Sequence, residues 1–340
     1  MIVMLRKDAP ASEIERIKNI AKDKGLGIDE SRGRDFIVLG FLGNTAEIDP
    51  NDLKASQWVE NVQRITAPYK LANRQFHPED SVITIGKNLK IGGNEKVVLM
   101  AGPCSIENEA HTLMMAEEVK KAGADMLRGG AYKPRTSPYA FQGLGTKGIE
   151  YMVEAREKTG LPIVSELMDA DQIEEFENNV DLIQIGARNM QNFTFLKKVG
   201  QKTTKPILLK RGMSATIEEW LMSAEYIMAS GNKNVILCER GVRSFEKYTR
   251  NMMDMAVVPI VKQRSHLPIV IDPSHATGDW RLVEAVSLAA IAAGADGLIV
   301  ETHNDPKHAL SDGAQCLMPD QLAELKKKGQ AVAKAIGRDM

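Results

Sequence analysis

Four residues far apart in the chain, Cys104, His275, Glu301 and Asp312, are of types that together could hold a metal ion. One thiolate, one imidazole and two carboxylates suit a borderline divalent transition ion such as Mn, Fe, Co or Zn, and do not suit Ca or Mg. Taken singly they say little, because a lone cysteine is usually a small buried hydrophobe and a lone histidine usually a hydrogen-bonded structural residue. A second set is cationic: Arg128, Lys133, Arg135, Arg188, Lys210, Arg211 and Arg240. Arginine grips carboxylate and phosphate in forked pairs, and lysine supplies a compact point charge. Gathered in one place, so many like charges would repel, and one or two anionic ligands would relieve the repulsion. Phosphate-bearing substrates are the expectation.

Both sets gain meaning from the elements that carry them. Eight short apolar runs, at residues 97–100, 125–127, 162–164, 182–185, 206–209, 235–237, 268–271 and 297–300, each end in one of the reactive clusters. Runs of this kind read as strands buried on both faces. Eight of them alternating with helical patterns predict an α/β fold, a (β/α)8 barrel of the TIM type, with its active site at the carboxyl ends of the strands. In a closed barrel the eighth strand pairs with the first. His275 after the seventh, Glu301 ending the eighth, Asp312 in the next loop and Cys104 after the first would then converge. The cations end buried strands and should point into the barrel mouth. Two units close their helices alike, with Ala122-Gly123-Ala124-Asp125 and Ala293-Gly294-Ala295-Asp296, where glycine fits a left-handed position.

Residues 1–68 read differently: strands at 2–5, 36–41 and 59–65, with helices at 11–24 and 50–55, predict a small α+β domain of the ferredoxin-like kind. It gathers no convergent acid, base and metal ligands, which favours binding or regulation over chemistry. Residues 69–94 read as a linker followed by a hairpin at 81–91, turning at Gly86-Lys87-Asn88 and able to plug the barrel bottom. The barrel occupies 95–340. A net charge of −1 and 5% aromatic residues argue against a nucleic-acid partner or an acidic membrane surface. The most apolar stretch, 286–300, is too short to span a bilayer and is broken by Gly294, Asp296 and Gly297. Three scattered cysteines, Cys104, Cys238 and Cys316, suggest a reducing compartment. No apolar leader follows Arg6, Lys7 and Asp8, so a cytoplasmic location is expected. Gly143-Leu144-Gly145 through Gly148 mimics a dinucleotide motif but does not sit directly on a strand end.

Several motifs are specific: Gly102-Pro103-Cys104-Ser105, the run 128–137 (Arg-Gly-Gly-Ala-Tyr-Lys-Pro-Arg-Thr-Ser), Gln184 through Asn189, Leu209-Lys210-Arg211-Gly212, Cys238-Glu239-Arg240-Gly241 and Asp272-Pro273-Ser274-His275. Together they resemble the 3-deoxy-D-arabino-heptulosonate-7-phosphate (DAHP) synthases, in the shorter class that also includes the KDO-8-phosphate synthases. The N-terminal module is similar to the ferredoxin-like regulatory domain of some members. The resemblance implies condensation of phosphoenolpyruvate (PEP) with erythrose 4-phosphate, releasing phosphate, as the first step of the shikimate pathway toward the aromatic amino acids.

By that resemblance Arg128, Lys133, Arg188, Lys210 and Arg240 would hold the phosphate and carboxylate of PEP. Arg135, Thr136 and Ser137 would take the aldose phosphate, and Asp272 a sugar hydroxyl. A metal on Cys104, His275, Glu301 and Asp312 would polarise the aldehyde, making His275 and Cys104 catalytic in that sense. Lys133 is read either as the donor of a proton to the new alkoxide, acidified by cationic surroundings, or as a plain anion contact. The sequence Lys133-Pro134-Arg135-Thr136-Ser137 is the form associated with the four-carbon aldose; the sister enzymes use arabinose 5-phosphate. Cys104 is the form of metal-dependent members. Tyrosine or phenylalanine is the implied allosteric ligand and a homotetramer the implied assembly. Competing readings are KDO-8-phosphate synthase, a Schiff-base aldolase using Lys210, and a sugar-phosphate sensor without catalysis.

Overall fold

The computed structural model describes residues 1–64, 67–134 and 137–340, which form two compact units. The first contains Met1–Asp80 and Lys262–His266. Its elements are β1 (Ile2–Arg6), α1 (Ala11–Asp23), β2 (Gly27–Arg32), β3 (Phe36–Leu42), α2 (Pro50–Lys54) and β4 (Val59–Gln63). The sheet runs β2-β3-β1-β4 with antiparallel neighbours, which suits the ferredoxin-like kind of domain that the sequence predicts. Ile14, Ile17 and Ala21 recur at helical spacing, so one face of α1 packs on Val3, Leu5, Leu39 and Phe41.

Two features differ from the sequence reading. Strand β2 was not expected, because Gly-Ile-Asp-Glu-Ser-Arg shows no apolar alternation; it is an edge strand carried by its backbone ladder to β3, from Gly27↔Leu42 to Arg32↔Ile37, and charged side chains suit an edge. The segment expected as linker belongs to the first unit through residue 80. Phe76 is buried there with Ile2 and Val38. Its ring lies over Gly40, where a Cβ would come within 2.1 Å of it. Residue 65, in the last expected strand, lies outside the described residues.

The second unit contains Ser81–Val261 and Leu267–Met340. A hairpin, β5 (Ile83–Ile85) and β6 (Leu89–Ile91), precedes β7 (Val98–Gly102), α3 (Glu109–Lys121), β8 (Met126–Arg128), α4 (Thr146–Thr159), β9 (Ile163–Leu167), α5 (Ile173–Asn179), β10 (Leu182–Ile185) and α6 (Phe193–Lys202). There follow β11 (Ile207–Lys210), α7 (Ile217–Ala229), β12 (Val235–Glu239), α8 (Val257–Arg264), β13 (Ile269–Ile271), α9 (Pro273–Thr277), α10 (Trp280–Ala292), β14 (Gly297–Glu301) and α11 (Pro319–Ala335). Strands β7 to β14 pair in parallel and close into a barrel, β14 meeting β7 from Gly297↔Val98 to Glu301↔Gly102. Gly123 and Gly294 have φ of 92° and 97°, the positive values expected of them.

Period-two alternation organises the barrel interior. Val98, Met100, Met126, Val164, Leu182, Leu208, Ile236, Cys238, Val270 and Ile299 form one apolar cluster with Ile83, Ile85 and Ile91 of the hairpin. Two residues further along their strands come Arg128, Glu166, Gln184, Lys210, Arg240, Asp272 and Glu301. The side chains change from apolar to charged or polar in a single step. No helix among the described residues is long and apolar enough to cross a membrane.

Candidate active site

Three of the four dispersed ligand types, Cys104, Glu301 and Asp312, meet in one group, and the fourth, His275, borders it through Glu301. Sγ of Cys104 lies 3.3 Å from Oδ2 of Asp312, and Nε2 of His275 lies 3.4 Å from Oε1 of Glu301. Ligand atoms of Cys104, Glu301 and Asp312 all fall within 4.8 Å of one another. For comparison, ligands held about 2.0–2.3 Å from a zinc-sized ion sit roughly 3.3–3.7 Å apart. The supporting contacts orient each donor. His275 Nδ1 pairs with Oδ2 of Asp272 at 2.7 Å and its backbone N–H donates to Oδ1 at 2.9 Å, leaving Nε2 turned to Glu301. Gln315 Nε2 donates to Oε2 of Glu301 at 2.7 Å, and Arg128 Nη1 donates to its Oε1 at 2.9 Å. Asp312 is the one non-glycine residue with positive φ (51°) among those described. Strain of that kind gathers at functional sites, and here Arg250 braces the carboxylate at 3.3 Å.

The electrostatics suit a bound cation. Burial, reinforced by the charge of Glu301, pushes the Cys104 thiol up to about 11. It stays protonated near neutrality unless a cation draws the proton off. Asp272 is buried, which opposes its ionisation, yet His275 and Lys210 hold it well below the usual carboxylate range. Lys210 Nζ donates to Oδ2 of Asp272 at 2.5 Å. The donor set and its outer partners fit a divalent transition ion.

Beside the quartet opens a cavity of about 500 Å³. Among the described residues its cations are Lys133, Arg188, Arg240, Arg243 and Arg250, facing the carboxylates of Glu166 and Asp312. Ser137 also lines it; Arg135 and Thr136 lie outside the described residues. Arg188 follows β10, and Arg240 projects from the end of β12, where burial lowers its pKa. Arg128 and Lys210 are nearly inaccessible and tied to Glu301 and Asp272.

Three expectations change in detail. Arg211 was read as a rim cation, but it turns away from the mouth into a buried pairing with Glu239 at 2.7 Å and Asp254 at 2.9 Å. The alternation that sends Lys210 inward sends Arg211 outward. Asp272, expected on a sugar hydroxyl, has both oxygens occupied by Lys210 and His275. Lys133 was expected to be acidified by neighbouring cations. Its Nζ instead sits 3.0 Å from Cys104 Sγ and 2.9 Å from the Cys104 carbonyl. Burial acts to lower its pKa, but its interactions with Cys104 and with the Glu301 carboxylate outweigh it, and the net shift is upward. Sequence reasoning missed Glu166, Gln184, Arg243, Arg250 and Gln315. The first two were recoverable, since each stands two residues beyond an inward apolar side chain; Gln184 Nε2 donates to Oε2 of Glu166 at 3.0 Å.

Residues 78–338 match the family described as DAHP synthetase I, and residues 1–67 match the DAHP synthase ferredoxin-like domain. The chain belongs to the DAHP synthetase I family. It is 47% identical over 337 residues to the phospho-2-dehydro-3-deoxyheptonate aldolase of Thermotoga maritima, covering 99% of each chain. A crystal structure of the Thermotoga maritima DAHP synthase superposes with a TM-score of 0.78 at 46% identity, covering 99% of this chain and 98% of that one. The 2-dehydro-3-deoxyphosphooctonate aldolase of Syntrophotalea carbinolica is 33% identical over 263 residues, which is 72% of this chain and 94% of that shorter protein. The protein is thus an enzyme of the DAHP synthetase I family, and the Thermotoga maritima relative matches both its barrel and its N-terminal unit.

Proposed function

We propose that the protein condenses PEP with D-erythrose 4-phosphate and water to give DAHP and phosphate, in a reaction that depends on a divalent metal ion held by Cys104, His275, Glu301 and Asp312. The observation that carries this reading is the quartet standing at one edge of a cation-lined cavity, which suits a carbonyl beside two phosphate groups. An ion bound there supplies Lewis acidity toward the aldehyde oxygen. Lys133, Arg188 and Arg240 clamp the phosphate and carboxylate of PEP, with Arg128 and Lys210 adding positive field from their ion pairs. Arg135, Thr136 and Ser137 take the aldose phosphate. The clamps turn a bimolecular encounter into an oriented one.

C3 of PEP then forms a bond to the aldehyde carbon, whose oxygen becomes an alkoxide. Lys133 is our donor for its proton; the upward shift keeps that ammonium fully loaded. Water adds at C2 with loss of a proton, for which Glu166, without a cation partner among the described residues, is the acceptor. The C2 hydroxyl then closes to the ketone, its proton passing to the departing phosphate, as the bond from C2 to the phosphate oxygen breaks and phosphate leaves with the electron pair. Asp272 fixes the His275 ring and the Lys210 ammonium, and by this reading acts as a positioning residue.

The assay that tests this is phosphate release from PEP with erythrose 4-phosphate or with arabinose 5-phosphate, each with Mn²⁺ or with excess EDTA. Metal-dependent turnover of erythrose 4-phosphate alone is expected. Preference for arabinose 5-phosphate would move the protein to the sister activity, and turnover unaffected by EDTA would remove the metal from the mechanism. We further propose that the N-terminal unit binds tyrosine or phenylalanine as feedback inhibitor in a cytoplasmic homotetramer, a reading supported by the match of residues 1–67 to the synthase ferredoxin-like domain. Deleting residues 1–68 should leave turnover intact and abolish inhibition by either amino acid; undiminished inhibition of the truncated enzyme would refute it.

A further inference from the structure

A second group of ligand types lies outside the quartet. Glu107 in the loop after β7, His111 in the first turn of α3 and His303 just beyond β14 each offer one ligand atom, and these atoms lie within 4.8 Å of one another. His303 is only 4% exposed. Its Nε2 and Nδ1 of His111 are buried without a hydrogen-bond partner, which is rare for buried polar atoms.

The surroundings prepare His111 for ligation. His111 Nε2 pairs with Oδ1 of Asn304 at 3.0 Å; that amide oxygen can only accept, so the ring proton sits on Nε2 and Nδ1 presents its electron pair. His303 Nε2 stands 3.4 Å from Oε1 of Glu107, about the spacing of two ligands around a tetrahedral zinc. Oε1 of Glu107 is itself fixed by the Leu310 N–H at 2.8 Å. The two rings pack with centroids 4.5 Å apart.

We propose that Glu107, His111 and His303 form a second site for a divalent transition ion of the Zn, Co or Ni kind, with its remaining position open to water. Two imidazoles and one carboxylate are a ligand set such ions take readily. Ligation through Nε2 puts the His303 proton on Nδ1, which now accepts the Asp305 N–H at 2.9 Å. That tautomer requires the Asp305 N–H to turn from the ring toward solvent, where Asp305 is exposed. The site shares its two chain segments with the quartet: Cys104 and Glu107 both follow β7, and Glu301 and His303 both belong to the end of β14. An ion bound here ties those segments together from a second point, with no thiolate among its ligands.

That last difference makes the site testable with Co²⁺ alone on the full chain, reading bound metal after equilibrium dialysis together with absorbance. Wild type should bind two equivalents. His111→Ala and, separately, Glu107→Gln should bind one, with the thiolate-to-cobalt charge-transfer band of the Cys104 site unchanged. The proposal is overturned if both variants bind as much cobalt as wild type, or if wild type binds only the ion that gives the charge-transfer band. Failure of the quartet looks different: wild type would bind one equivalent without that band, and the two variants none.

Discussion

The lower and upper layers of the barrel interior come from the same strands and differ by one step of two residues. Leu208 gives way to Lys210, Cys238 to Arg240, Val270 to Asp272 and Ile299 to Glu301. In the lower layer the contacts are dispersive and non-directional, so volume matters more than identity. In the upper layer each buried charge needs a specific partner, as in Arg128 with Glu301 and Lys210 with Asp272. Such pairs contribute little net stability, yet removing one partner strands the other. The barrel therefore separates its tasks along the strand direction, with folding energy concentrated at one end and chemistry at the other.

Substitutions at the two ends should fail in different measurements. The largest effect is expected from Cys104→Ala. Loss of several kcal/mol of Lewis-acid stabilisation corresponds to a fall in kcat of about 10³-fold or more. Bound metal should be lost with it, while the melting temperature moves little. A variant that keeps its metal and its turnover would remove Cys104 from the ligand set. Next comes Lys133→Met, where loss of a positioned proton donor should lower kcat by about 10²–10⁴-fold and change the KM for PEP far less. If kcat holds and KM rises instead, Lys133 is a binding contact and the proton comes from elsewhere.

How much of this was legible depends on which physical signal each part leaves in the chain. All eight barrel strands showed because burial on both faces leaves uninterrupted apolar runs, and the quartet followed from knowing that β14 closes on β7. Strand β2 did not show: an edge strand is carried by backbone bonds, which composition does not record. Phe76 looked like linker because its partners, Ile2 and Val38, lie far away in sequence. The rim cations were visible as residue types, but telling Lys210 from Arg211 required the strand register, which fixes which neighbour points inward. Lys133 was misjudged in sign because the partners that raise it, Cys104 and Glu301, come from other strands. The Glu107, His111 and His303 cluster went unread for the same reason.

The lower layer supplies the converse experiment. Ile85 is fully buried in the hairpin that joins the apolar cluster, and Gly86, at φ 59°, turns the chain back so that Ile85 faces Leu89. Ile85→Ala removes methyl groups from a packed site that can relax only in part, which should cost about 2–5 kcal/mol of stability. The expected result is a lower urea midpoint with kcat, KM and bound metal close to wild type below the unfolding transition. The upper layer sits two residues beyond the apolar one on the same strands, so a cavity beneath it tests how rigidly the strands transmit strain. If Ile85→Ala also lowered kcat in step with stability, packing beneath the site would be setting the geometry of the quartet, and the two layers would be one mechanical unit.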